Sequence, residues 1–331
     1  MNKIMLVEKI HEAGEAMLAQ KAELVYPNPQ NIEGIIEAIG DCNALVVRNT
    51  KITRQVMEAA PKLAVIGRHG VGYDTVDIAA AAALGITVVY TPAANTESVV
   101  EISIGFIICL GRKIVEAHAA MQSEQLLSDT VTMPILTRQK GLINADLWGK
   151  TLGVVGVGRI GSAVAKRMNA AFNMRVLGYD PYVDADTLAG YGVQKLHRLE
   201  EMLPQCDFVA IHCTGGAQTR RLIDARMLAL MKPEAYLINT ARGTVVDEAA
   251  LIEALRRKQI AGAALDVYDP EPPRPGNPLL HMDNVIVTPH FCAMTEESLY
   301  NMATMVAQGV LDVLEGRRPR YPVNTAQTSP D

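Results

Sequence analysis

The segment Leu152-Gly153-Val154-Val155-Gly156-Val157-Gly158-Arg159-Ile160-Gly161 constrains the fold more than any other, because it requires three different local structures within a few residues. Apolar residues 152–155 suit a buried strand, the glycines permit a tight turn and close backbone approach, and the run from Ile160 onward opens a helix. The N-terminus of that helix would face an anion. A second apolar run, residues 174–179, ends at Asp180, nineteen residues beyond Gly161. A carboxylate there can accept hydrogen bonds from both hydroxyls of an adenine ribose, and it repels a 2′-phosphate. Strand, turn, helix, strand and acid at this spacing predict an NAD site, with Gly156, Gly158, Arg159, Ile160 and Gly161 at the pyrophosphate and Asp180 at the ribose.

At 331 residues the chain is long for one core, and two domains are expected. A net charge of −5 with both signs interspersed gives no extended basic face, which argues against nucleic acid as a partner. The cluster Arg317, Arg318 and Arg320 reads as a solvated helix end. No basic segment leads into a long apolar stretch at the start, and no run reaches the ~18 apolar residues needed to span a bilayer, so a cytoplasmic protein without membrane contact is expected. Cys42, Cys109, Cys206, Cys213 and Cys292 are scattered without metal-binding spacing, which predicts free, mostly buried thiols and no metal.

Short apolar runs at 4–7, 23–26, 44–47, 63–66 and 86–89 read as strands, and 11–20, 32–39, 54–59 and 75–84 as the helices between them. A long helix is expected over 97–118, apolar all round in its middle as a helix buried between domains or subunits would be. Residues 121–147 are less regular and read as an arm toward a partner subunit. A second alternation starts at Thr151, with strands at Leu152, Val176, 208–211, 236–239, 263–266 and 285–288. The helix over 295–315 could return to the first domain, and residues after Asn324 read as disordered. The expected division is a discontinuous substrate domain, 1–98 with 292–331, and a nucleotide domain, 99–291, with a dimerisation arm at about 119–148.

In open parallel sheets, the loops after the strand C-terminal ends form the ligand crevice. Polar and glycine residues cluster there: His212 to Gly216, Thr240 to Gly243, Asp266 to Glu271, and Pro289-His290 each follow an apolar strand. Hydride transfer to a carbonyl needs a cation for the substrate carboxylate, a proton donor for the developing alkoxide, and a group that tunes that donor. Arg242, Glu271 and His290 can fill these roles. Arginine binds a carboxylate by two parallel hydrogen bonds and stays charged. Histidine titrates near neutrality, so it can donate a proton in reduction and accept one in oxidation. A neighbouring Glu271 would favour the imidazolium and orient the ring.

These residues carry a resemblance to the D-2-hydroxyacid dehydrogenases, running from about Val46 to Asn324. Asn239-Thr240-Ala241-Arg242-Gly243 is similar to the block supplying that family's catalytic arginine, Asp266-Val267-Tyr268-Asp269-Pro270-Glu271-Pro272 to the glutamate block, and Thr288-Pro289-His290 to the histidine block. The resemblance implies an α/β fold of two Rossmann-like domains, a flavodoxin-like substrate domain and an NAD-binding doubly wound parallel sheet, with a cleft between them. It also implies NAD(H) and a homodimer built largely through the coenzyme domain. Thr96, His212, Thr214, Thr219, Thr240 and Ala241 are then cofactor positions, Asp266 meets the nicotinamide carboxamide, and Val71 and Gly72 offer backbone N–H groups to the substrate carboxylate. Glutamate at 271 separates the chain from formate dehydrogenases, which carry glutamine there. Two departures stand out. His212-Cys213-Thr214-Gly215-Gly216 lacks a proline usually found two positions after the histidine, and Phe291-Cys292-Ala293-Met294 replaces a smaller stretch and predicts a bulkier pocket wall.

Arg48, Arg68 and His69 bring cationic or ionisable side chains to loops of the first domain and invite a second anion. In this the chain resembles the phosphoglycerate dehydrogenase branch, without the regulatory domains that some of those enzymes append. The expected substrate is a small 2-hydroxy acid with an anionic C3 group, such as 3-phosphoglycerate or 3-sulfolactate. The alternatives are a glyoxylate/hydroxypyruvate reductase and, in another class, an NAD(H)-sensing regulator on the same fold.

Overall fold

The computed structural model describes residues 1–324 and divides into two units, one formed by Met1–Asn95 with the chain from Ala293, the other by Thr96–Cys292. Residues after Asn324, read above as disordered, lie outside the described residues.

The first unit contains β1 (Asn2–Leu6), α1 (Glu12–Ala19), β2 (Ala22–Val25), α2 (Ile32–Ala38), β3 (Ala44–Val47), α3 (Arg54–Glu58), β4 (Val65–Arg68), α4 (Ile78–Ala83) and β5 (Thr87–Val89). The strands pair in parallel in the order β2-β1-β3-β4-β5, the flavodoxin-like arrangement. Both faces are covered, which is why the strands are continuously apolar. Along β1, Ile4 and Leu6 join one core cluster, which includes Leu18 of α1, while Met5 joins the other, which includes Ile35, Val56 and Ala80 of α2, α3 and α4. Asn324 closes the β5 edge: its Oδ1 accepts from Val88 N at 2.7 Å and its Nδ2 donates to Ile86 O at 2.9 Å.

The second unit opens with α5 (Thr96–Arg112), α6 (Ile114–Gln122) and α7 (Met133–Gln139). It continues through β6 (Thr151–Val155), α8 (Arg159–Phe172), β7 (Arg175–Tyr179), α9 (Ala185–Ala189), β8 (Val193–Lys195), α10 (Leu199–Met202), β9 (Phe208–Ile211), α11 (Ala225–Ala229), β10 (Tyr236–Asn239), α12 (Glu248–Arg256), β11 (Gly262–Leu265) and β12 (Val285–Val287). All seven strands are parallel, in the order β12-β11-β10-β9-β6-β7-β8. The direction of winding reverses between β6 and β9, and the loops beyond their C-terminal ends form the switch point where such sheets bind nucleotides. The last helix, α13 (Glu296–Leu314), belongs to the first unit, where Val306, Ala307 and Val310 complete the core face of Ile4 and Leu6.

Four features differ from the sequence reading. The helix expected over 97–118 breaks at Lys113, which takes a left-handed conformation (φ 49°) while its ammonium donates to Gly141 O at 2.7 Å. The break falls at a lysine, with Gly111 two residues before it inside the last turn of α5. All of α5 lies in the second unit, so the division falls before the helix and not inside its first turn. The strand expected at 63–66 runs instead from Val65 to Arg68, and β8 is a strand that three residues were too few to announce. No helix among the described residues is long and apolar enough to cross a membrane.

Candidate active site

The glycines after β6 differ in what confines them. Gly156 has φ 89°, and a Cβ there would meet Cys213 N at 2.5 Å, so the loop after β6 runs directly against the loop after β9. A Cβ on Gly161 would strike the Gly156 carbonyl, because α8 starts tight against the turn. A Cβ on Gly158, the N-cap of α8, would meet no protein atom within 4 Å, and no side chain caps that helix. Open space at the uncapped start of a 14-residue helix fits a pyrophosphate held by backbone N–H groups. A cavity of about 480 Å³ continues from it, lined by Gly156, Gly158, Asp180, Tyr182, His212, Thr214 and Thr219 among others.

Asp180 is buried at the end of β7, and much of its hydrogen-bonding capacity is already used within the chain. Oδ2 accepts from Val157 N at 2.9 Å, and Oδ1 accepts from Tyr182 N at 2.9 Å and Val183 N at 3.3 Å. The acid therefore also ties the glycine turn to the loop after β7. On the other wall, Thr219 donates to Thr214 O at 2.7 Å. His212 Nδ1 lies 3.4 Å from Thr240 Oγ1, which is 3.1 Å from Ser103 Oγ on α5. Burial pushes the His212 pKa down to about 4, leaving the ring neutral. Arg159 and Ile160 open α8. Thr96 starts α5 and does not line this cavity.

The loops after β10, β11 and β12 carry the other three residues. Buried Asn239 shapes the turn beyond β10: its Oδ1 accepts from Ala241 N at 3.1 Å and its Nδ2 donates to Arg242 O at 3.0 Å. The Arg242 stem lies on Gly215, where a Cβ would come within 2.8 Å of Arg242 Cγ, and Gly243 leaves room for the Tyr268 carbonyl. Gly215 thus has a local use, since a side chain there would displace the arginine, whereas the departure itself, Thr214 in place of a proline, is not explained by that contact. His290 Nδ1 and Glu271 Oε1 are hydrogen-bonded, with both side chains about a third exposed. Burial works to raise the Glu271 carboxyl, but the hydrogen bond and charge of His290, with the Arg242 charge, outweigh it and hold the carboxyl below its ordinary range.

Asp266 is 1% exposed and fastens the histidine loop. Its Oδ1 accepts from Thr288 Oγ1 at 2.6 Å and Phe291 N at 2.9 Å, and its Oδ2 accepts from Cys292 N at 3.1 Å. The Tyr268 hydroxyl donates to Thr288 O at 2.9 Å. Between these anchors His290 takes φ 53°, a conformation that costs a non-glycine residue on the order of 1 kcal/mol and persists because its neighbours are fixed. The sequence reading gave Asp266 to the nicotinamide carboxamide and missed this role, as it missed Asn239, Ser103, Tyr268 and Gly215.

In the first unit the expected trio of ionisable groups is unequal. The His69 ring is buried, with neither nitrogen hydrogen-bonded, and burial together with the Arg48 and Arg68 charges pushes its pKa down to about 3. Of the cationic or ionisable side chains grouped there, it is the one left uncharged at neutral pH. Arg68 is 5% exposed and donates from Nη1 to His69 O, its guanidinium filling the space a side chain on Gly70 would need. It braces the turn that leads to Val71 and Gly72. Arg48 is half-buried, its Nη2 2.9 Å from Met294 Sδ.

The family model described as D-isomer specific 2-hydroxyacid dehydrogenase, NAD binding domain, matches residues 104–292. The chain is 41% identical to the D-3-phosphoglycerate dehydrogenase of Methanocaldococcus jannaschii across 98% of its own length, but it spans only 60% of that relative. It is 38% identical to the glyoxylate reductase of Thermofilum pendens, covering 97% of this chain and 94% of the other. Among solved structures, the NADPH-dependent glyoxylate/hydroxypyruvate reductase of Sinorhizobium meliloti superposes with a TM-score of 0.85 at 28% identity, covering 100% of this chain and 99% of the other. The chain belongs to the D-isomer specific 2-hydroxyacid dehydrogenase family, and its second unit is that family's NAD-binding domain.

Two predictions follow from the site geometry. Gly158→Ala should leave the thermal midpoint within about 2 °C of wild type while weakening NADH binding about tenfold or more, whereas Gly161→Ala should lower the midpoint itself. Equal effects of the two changes on cofactor titration and melting would remove the assignment of Gly158 to the pyrophosphate. His69 and His212 stay neutral in the fold, with pKa values of about 3 and about 4, while in the unfolded chain both titrate near 6.5. Below 6.5 the unfolded state binds more protons, so stability present above that pH should fall by roughly 1.4 kcal/mol per unit for each histidine as the pH drops toward 4. Denaturant melts between pH 7 and 4.5 should show this slope, and His69→Leu should remove about half of it.

Proposed function

We propose that the protein is an NAD-dependent dehydrogenase of small D-2-hydroxy acids, interconverting a 2-hydroxy acid and its 2-keto acid. The observation that carries this reading is the hydrogen bond between His290 and Glu271, on the same end of the sheet as the open helix start at Gly158. Bound NADH supplies the hydride. Arg242 holds the substrate carboxylate with its planar fork. His290, carrying a proton on each ring nitrogen, donates from Nε2 to the carbonyl oxygen as charge develops there. Glu271 accepts the Nδ1 hydrogen throughout, keeping the ring oriented and its charge balanced.

A C3-anionic substrate is the main reading, supported by the phosphoglycerate dehydrogenase relatives, with Arg48 as the recognition residue. The burial of Arg68 and the neutrality of His69 favour a second reading, glyoxylate/hydroxypyruvate reduction, which asks for no second anion site. We also propose a cytoplasmic homodimer. Ile114, Val115, Met121, Leu127, Met133, Ile135, Ile143 and Trp148 are all 41–68% exposed within one stretch of the second unit, and an apolar surface of that extent suits a partner copy.

Sedimentation equilibrium should give twice the chain mass, and substitution of Trp148 and Ile143 by Asp should shift it toward the monomer; a wild-type monomer would exclude the dimer. NADH oxidation measured against glyoxylate, pyruvate, hydroxypyruvate, 3-phosphohydroxypyruvate, 3-sulfopyruvate and oxaloacetate should show turnover, with the highest kcat/KM on a C3-anionic acid. His290→Ala should lower kcat about 10²–10⁴-fold in both directions with KM for NADH unchanged. Undiminished turnover by that variant would end the acid/base assignment, and NADH binding without turnover of any acid would revive the sensor.

A further inference from the structure

The backbone N–H groups of Arg48, Asn49 and Thr50 all point at one carboxylate, that of Glu8. Arg48 N donates to Oε2 at 3.0 Å, Asn49 N and Thr50 N donate to Oε1 at 3.3 and 3.4 Å, and the Thr50 hydroxyl donates to Oε1 at 2.9 Å. Successive N–H groups arranged in this way form an anion-binding nest. Here the anion is supplied by the chain itself. Glu8 follows β1 and Arg48 follows β3, two strands paired in parallel with Leu6 opposite Val46, so neighbouring strand ends deliver both partners.

The donors of the loop backbone are therefore taken, and what the loop still offers is the Arg48 side chain. Among the described residues the only hydrogen-bond partner of its guanidinium is the Met294 sulfur. A thioether is a weak acceptor and a guanidinium carries five N–H donors, so most of its capacity is left for an anion from outside the chain. Burial works to lower the Arg48 pKa, and the Glu8 charge works against that, so one carboxylate both fixes the loop and supports the cation on it.

We infer that Glu8 is a specificity-determining positioning residue: by locking the 48–50 loop it holds the Arg48 guanidinium in place for the anionic C3 group of the substrate. This rests on the assignment of Arg48 proposed above.

Steady-state kinetics at saturating NADH test it, with 3-phosphohydroxypyruvate compared with uncharged-C3 hydroxypyruvate for the wild type, Arg48→Met, Glu8→Ala, Glu8→Gln and the Glu8→Ala/Arg48→Met pair. Arg48→Met and Glu8→Ala should each raise KM for the phosphorylated acid about tenfold or more, and Glu8→Ala should leave kcat, KM for hydroxypyruvate and KM for NADH within about twofold. The double variant should be no worse than Arg48→Met alone, because one residue acts through the other. Glu8→Gln keeps the acceptor that takes three of the four hydrogen bonds and should stay close to wild type, and it carries the test if Glu8→Ala does not fold. If Arg48→Met leaves the preference for the phosphorylated acid unchanged, the Arg48 assignment fails and the inference falls with it. If Arg48→Met abolishes the preference while Glu8→Ala leaves it intact, or Glu8→Ala impairs both acids alike, the inference alone is overturned. Glu8→Gln no better than Glu8→Ala would show that charge and not loop geometry is what counts, and would overturn the positioning role.

Discussion

Asp266 carries little solvent-facing surface of its own, yet the arrangement around His290 depends on it. A buried carboxylate is tolerated only when its lone pairs are satisfied. Here they are satisfied by Thr288, Phe291 and Cys292, which flank the histidine on both sides. The cost of burying the charge and the strained backbone of His290 are thus offset by the same three hydrogen bonds. The histidine is set by the sheet edge rather than by its own preferences, which leaves its ring to Glu271.

The same economy recurs where acidic side chains of the chain stand against backbone N–H groups. Asp180 gathers Val157, Tyr182 and Val183 at the nucleotide end, and Glu8 gathers Arg48, Asn49 and Thr50 in the first unit. In each case a carboxylate at the end of a parallel strand organises a neighbouring loop. Loops at these strand ends must be rigid to orient ligands, but they cannot draw rigidity from a sheet ladder that has already ended. Internal carboxylates supply it.

How much was legible varies with the range of the interaction that decides each feature. The glycine turn and Asp180 could be read directly because a strand, a turn and a helix lie within one stretch of sequence. Arg242, Glu271 and His290 could be picked out because each follows an apolar run. The break at Lys113 could not, since a lysine that takes a left-handed conformation while reaching Gly141 O leaves no local mark. Nor could the charge of His69, because the burial and the two arginines that keep it neutral come from elsewhere in the fold. His69, Arg68 and Arg48 were grouped as cationic or ionisable side chains, but packing keeps His69 neutral, turns Arg68 onto the His69 carbonyl and leaves Arg48 half-buried against the Met294 sulfur.

By itself, the sequence determined the α/β class, the glycine turn that admits a dinucleotide, and the residue types able to bind a carboxylate and move a proton. These are properties of local spacing and side-chain chemistry. Only the tertiary structure decided that Gly158 faces open space while Gly156 and Gly161 are confined by the chain, that Glu271 meets His290, and that Glu8 occupies the loop of Arg48. Those outcomes depend on which strand ends lie side by side, and strand order is set by burying both faces of each sheet.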